Sequence, residues 1–340
     1  MSGDILVGVS SCLLGEQVRY DGGHKRNAFL IDDLARHVRF VPVCPEVGIG
    51  LGTPREPIRL VRASGATRLV GQSGADHTGA MRDYAAATVA ELRRRDLSGY
   101  VLKKGSPSCG LERVKVWNEE GTAATPDGRG MFAEALVEAL PELAVEEEGR
   151  LNDAALREHF VDRVFAHARV RDFFGEPWSA EGLIAFHSAE KIAVMAHDVE
   201  GARELGRLVA RVRELPPDEL AGRYRELHAR AFARPATPGR QANALQHLAG
   251  HLKDALDSAD REELRVAIED YRTGLVPVAV PLALLGRHLR AAGAEWAGGQ
   301  SYLDPYPKDL GLRGVIARSA RRPPGGPASG RRSARDSRGQ

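Results

Sequence analysis

Three cysteines stand at positions 12, 44 and 109, and the 340-residue chain has no others. They lie 32 and 65 positions apart, and none belongs to a CxxC pair. Each follows a run that reads as a β-strand: ILVGVSSC, RFVPVC and YVLKKGSPSC. In an open parallel sheet, ligands gather outside the carboxyl ends of the strands, so thiols far apart in sequence can meet at one edge. Their neighbours are Ser, Gly and Pro, as in loops whose backbone N–H groups approach an inorganic centre. Four chemistries are open. The cysteines can be small buried hydrophobes. They can be zinc ligands, although such sites more often show a CxxC pair or a fourth Cys or His nearby. One can be a catalytic thiol, which leaves the other two unexplained. All three can hold a [4Fe–4S] cluster with one iron left open to bind and polarise a substrate atom.

Other candidates carry weaker patterns. Asp21, in RYDGG, follows the first cysteine loop and either faces the same pocket or makes an Asp-Gly turn. His247 and His251 share a helix face, but the pair lacks an HExxH glutamate and a third ligand, so packing or surface roles are the alternative to a metal site. Arg203, Arg207, Arg211 and Arg213 read either as an RNA-contacting ridge or as a solvated face, since Glu200, Glu204 and Glu214 are interleaved. No GxGxxG follows the first strand and no GxxxxGK[ST] occurs, which argues against dinucleotide and P-loop folds.

The elements that must position these groups divide at about residue 150. Residues 1–149 alternate: strands at 5–9, 39–43, 58–61, 68–70, 100–103 and 114–117, and helices at 27–37, 78–95 and 131–139. This pattern predicts an α/β domain with a mostly parallel sheet. Residues 150–311 read as an all-α domain, with 153–293 almost wholly helical: Leu156, Phe160, Val164 and Ala168 recur every four residues, and helices are expected at 179–187, 189–197, 202–212, 217–233, 241–258 and 260–272. Residues 312–340, rich in Arg, Gly, Ser and Pro, read as a disordered basic tail.

Composition sets the outer bounds. Hydrophobic residues make up 43% and charged residues 28%, enough for sizeable cores. The net charge of +2 comes from the tail, whose eight arginines face one aspartate from 313 onwards; the rest of the chain is net acidic. The overall charge is therefore no sign of a basic nucleic-acid-binding face. An odd three cysteines argue against a disulfide scaffold and for a reducing, cytoplasmic setting. No apolar run approaches a membrane span, and MSGDILVGVSS reads as a first strand and not a signal peptide.

The segments at 8–27, 41–61 and 102–110 closely resemble the thiouracil desulfidase family, and those at 196–210, 243–256 and 271–285 resemble the YbgA-type domain found fused to it. The resemblance covers about residues 4–310. The fused form resembles bacterial desulfidases acting on 4-thiouridine in transfer RNA. The resemblance implies that Cys12, Cys44 and Cys109 bind a [4Fe–4S] cluster with one open iron. It places Glu46, of the CPE triplet, and Ser106, of the SPSCG loop, in the catalytic pocket. On the residues alone, Glu46 can equally be a surface or salt-bridged acid paired with Arg55 or Arg59, and Ser106 can cap the turn before Pro107. The implied partner is tRNA, held by the helical domain; no protein partner and no membrane are expected. Ala242 departs from the bulkier polar pattern expected before Asn243, which bears on RNA contacts. A desulfidase for a free thiouracil or nucleoside, and a non-catalytic iron–sulfur RNA-binding or redox-sensing protein, are the competing functions.

Overall fold

The computed structural model describes residues 4–315. Most of the basic tail therefore lies outside the described residues. The first half builds two sheets. Strand β1 (Leu6–Ser10) pairs in parallel with β2 (Arg39–Val43). The short helix α1 (Pro45–Gly48) follows β2, and the hairpin β3 (Ile58–Ala63) and β4 (Ala66–Gly71) follows α1. Next come α2 (Thr78–Arg94), β5 (Gly99–Leu102), β6 (Val114–Asn118), β7 (Ala124–Gly128), α3 (Met131–Ala139) and β8 (Ala144–Glu147). The first sheet has the order β2-β1-β5-β8 and is wholly parallel. The second, β4-β3-β6-β7, is mixed.

Strand periodicity explains the two cores of this half. Val7, Val9 and Val101 face one side of the parallel sheet, while Tyr100 and Leu102, one residue out of step, face the other with α2, α3 and the second sheet. Gly8 lets the Tyr100 ring lie across β1, because a Cβ there would stand 2.1 Å from the ring. Two strands escape sequence reading. β7 is exposed, and its Ala-Thr-Pro-Asp-Gly reads as a turn; it is an edge strand, where proline is tolerated. β8 ends in Glu146 and Glu147, both buried, within the acidic run at the domain boundary. The expected helix at 27–37 is a π turn at Phe29–Asp33 followed by a 3-10 turn at Leu34–Arg36, which still buries Phe29, Leu30 and Leu34 together.

The second half is helical: α4 (Ala154–Gly175), α5 (Ala180–His197), α6 (Val199–Val209), α7 (Pro217–Phe232), α8 (Pro238–Ala249), α9 (Ser258–Thr273) and α10 (Ala279–Ala291). The stretches expected at 179–187 and 189–197 form the single helix α5. The expected helix at 241–258 stops at Ala249, where the chain tightens into a 3-10 turn. Helix α4 serves both halves. Phe160, Val161, Val164, Phe165 and Ala168 close the open face of the parallel sheet, while Ala166 and Val170 join the helical core. His167 bonds Ser98 at 3.3 Å, and Arg163 donates to the Leu143 carbonyl at 3.1 Å, fixing α4 on the α/β layer. Among the described residues no helix is long and apolar enough to cross a membrane.

Candidate metal centre

The carboxyl edge of the parallel sheet opens into a cavity of about 460 Å³. Cys12, in a 3-10 turn after β1, Cys44, at the start of α1 after β2, and Cys109, in the loop after β5, all line it. The strands' register brings together what 97 residues of sequence separate. Ser10 ties two of the strand ends: its hydroxyl oxygen accepts the Lys103 N–H at 3.0 Å. The Cys109 loop is held by the start of α3. The N–H groups of Met131, Phe132 and Ala133 donate to the Pro107 and Ser108 carbonyls at 3.0 to 3.2 Å. Gly130 permits this approach, since a Cβ there would stand 2.5 Å from the Ser108 carbonyl.

All three cysteines are free thiols. Burial pushes the Cys12 thiol up to about 11 and raises Cys44 and Cys109 as well. Without a metal they are therefore protonated and poor nucleophiles at neutral pH. Among the described residues no three His, Cys, Asp or Glu side chains form a group that could hold a metal ion. In an iron–sulfur cluster each thiolate binds its own metal atom. Five cations, Arg19, Lys25, Arg55, Lys103 and Lys104, also line the cavity, and three of them favour the thiolates, Lys103 and Arg19 beside Cys12 and Arg55 beside Cys44, which suits a group ligated by three thiolates. The donor set thus fits an iron–sulfur cluster.

Glu46 and Ser106 both line the cavity, and they touch. Glu46 Oε2 accepts from Arg55 Nε at 3.1 Å and from Arg55 Nη2. Glu46 Oε1 accepts from the hydroxyls of Ser106 at 3.3 Å and Ser108 at 3.1 Å. The salt-bridge expectation holds for Arg55 and not for Arg59, which lies over the Trp117 ring. Ser106 is also a cap, as its oxygen accepts the N–H groups of Ser108 and Cys109 at 3.1 Å each. The pair is nearly closed off, with Arg55 6% and Glu46 15% exposed. Sequence reading assigned no site role to Ser108, Arg55 or Lys103. A second serine one step before the cysteine was the available signal for Ser108.

Other candidates fall outside the cavity. Asp21 is exposed, accepts the Gly23 N–H at 3.0 Å and pairs with Arg19: it is a turn residue. His247 and His251 pack ring against ring, and His251 rests on Trp296. His197 is wedged between the Arg234 carbonyl and Asp162, and His187 meets the Tyr224 hydroxyl. Ala242 is buried in the helical core. Each of the four ridge arginines has an acidic partner: Glu200 for Arg203 and Arg207, Glu214 for Arg211, Glu181 for Arg213.

Comparison with known proteins follows this division. Residues 7–148 match the 2-thiouracil desulfurase family, and residues 191–307 match DUF1722, a family of unknown function. The uncharacterized protein YbbK of Bacillus subtilis (strain 168) is 34% identical over 151 residues, covering 43% of this chain and 97% of that protein. The uncharacterized protein YbgA of Escherichia coli (strain K12) is 28% identical over 152 residues, covering 44% of this chain and 90% of that protein. A solved structure of the [4Fe-4S]-dependent thiouracil desulfidase TudS is 32% identical, with 46% of this chain and 98% of that one covered and a TM-score of 0.38.

Proposed function

The chain belongs to the 2-thiouracil desulfurase family through residues 7–148, and from that premise we propose that it is an iron–sulfur desulfidase converting 4-thiouridine in tRNA to uridine, in the cytoplasm. The observation that carries this reading is one cavity lined by three thiols and by a carboxylate bonded to two serine hydroxyls. A [4Fe–4S] cluster held by Cys12, Cys44 and Cys109, with one iron lacking a protein ligand, would supply a soft Lewis acid for the thiocarbonyl sulfur.

The chain's own part is proton handling. Thiocarbonyl plus water gives carbonyl plus hydrogen sulfide, with no net electron transfer. Water must lose protons as it adds to the ring carbon, and the departing sulfur must gain them. Arg55 occupies Oε2 of Glu46 and leaves Oε1 facing the hydroxyls of Ser106 and Ser108. A proton taken by Glu46 can thus pass through a hydroxyl. Ser106 is fixed for this work, because its oxygen already accepts two backbone N–H groups and its hydrogen is directed at Glu46. The helical half is assigned to hold the RNA, since a free base needs no second domain of that size.

The test is anaerobic purification with iron and sulfide analysis, followed by sulfide release from thiolated tRNA and from free 4-thiouracil. The expected result is about four irons per chain, loss of most of that iron in Cys→Ser variants at 12, 44 or 109, and faster turnover of the tRNA. Stoichiometric zinc without iron defeats the cofactor, and inactivity on tRNA defeats the substrate.

A further inference from the structure

Three side chains in the cavity lining have no part in the proton chemistry. Tyr20 is 43% exposed, an unusual position for a large aromatic side chain. Its carbonyl accepts the Arg55 N–H at 2.9 Å, and the Arg19 guanidinium lies 5.4 Å from its ring centroid. The backbone of Tyr20 is therefore anchored at the cavity, with a guanidinium against its ring. Lys25 and Lys104 are exposed, and among the described residues neither has an acidic partner. The other three cavity cations are paired: Arg19 with Asp21, Arg55 with Glu46, Lys103 with Glu148. The backbones of the two lysines are anchored next to the cysteines. Lys25 N–H donates to the Cys12 carbonyl at 2.8 Å, and Lys104 N–H donates to Glu148 Oε2 at 2.6 Å at the start of the Cys109 loop.

We propose that Tyr20, Lys25 and Lys104 form a nucleotide-binding rim: Tyr20 stacks a base turned out of a polynucleotide, and the lysines take the phosphates beside it. This inference rests on the desulfidase reading and refines its substrate class. A neutral base offers nothing for two unpaired cations, whereas a base inside a chain always brings a phosphate on each side. Chemistry on a base requires it to leave its stack, and an aromatic face repays part of that loss. The rim also contrasts with the ridge at Arg203 and Arg207, whose charge Glu200 already offsets.

The experiment measures binding of thiolated tRNA across salt concentrations, together with KM and kcat for that tRNA and for free 4-thiouracil, on the anaerobically purified full chain. Removing both lysines (Lys25→Ala with Lys104→Ala) is expected to lower the salt slope by about two. It should raise KM for tRNA at least tenfold more than KM for the free base, with iron content retained. Tyr20→Ala should weaken tRNA binding about tenfold, and Tyr20→Phe should restore it. Equal losses on both substrates, loss of iron, or a larger binding loss from Arg203→Ala with Arg207→Ala overturns the rim. A wild-type protein that binds tRNA through these residues but leaves its sulfur in place overturns the substrate reading alone.

Discussion

Glu46 shows why the choice of substitution matters at the residue scale. Arg55 is almost wholly buried against it, so Glu46→Ala would strand a buried cation and destabilise the domain by about 3–5 kcal/mol. Glu46→Gln keeps the shape and an acceptor for Arg55 while removing the base. We expect this variant to retain its iron and lose about 10²- to 10⁴-fold in kcat, read as sulfide released per chain. Unchanged kcat would remove Glu46 from the chemistry. The thiols make a second prediction. Burial raises Cys12 from 9.0 to about 11, so the folded, metal-free chain binds that proton more tightly than the unfolded chain. Its contribution to stability is present below about pH 9 and is lost as pH rises towards about 11. Alkylation of the metal-free protein should accelerate over the same range, where an exposed thiol would already have levelled off.

At the scale of elements, the Cys109 loop depends on the start of α3. Gly130→Ala places a methyl group against the Ser108 carbonyl, so either the helix or the loop must move. The expected outcome is at least a twofold loss of iron after reconstitution, with the circular dichroism of the helices unchanged. Full iron content would mean that the loop is held in some other way. The acidic run at the end of β8 is the other support. Glu148 binds Lys103 and the Lys104 N–H, and Glu147 accepts the Leu111 N–H at 2.8 Å. This stretch at the domain boundary is a brace on both ends of the loop that carries Ser106 and Cys109.

At the scale of the molecule, α4 joins the two halves. The desulfurase match ends at residue 148 and the DUF1722 match begins at 191, leaving α4 between them. Its Phe160 is fully buried against the parallel sheet. Phe160→Ala is expected to cost about 3–5 kcal/mol and to lower the unfolding midpoint of the α/β half. Chemical denaturation followed through Trp117 fluorescence, with Trp178 and Trp296 replaced by Phe, against helical circular dichroism would measure it. A change confined to the helical signal would show that α4 stabilises only its own bundle.

Much of the site was legible in the sequence because cysteine is rare here and strand ends are readable. Three thiols after three apolar runs already implied one edge of one sheet. The motif wording then singled out Glu46 and Ser106. The sequence alone also determined the change at about residue 150 from alternating strands to helical periodicity, since both periods are local properties of side-chain spacing. Tertiary structure decided the rest. It alone joined the hydroxyls of Ser106 and Ser108 to one carboxylate, because those bonds span 60 and 62 positions and leave no periodic trace, and it alone chose Arg55 over Arg59 as the ion pair. It alone showed that the first helix after the boundary closes the sheet before it, because an amphipathic pattern specifies that a face is buried but not against what.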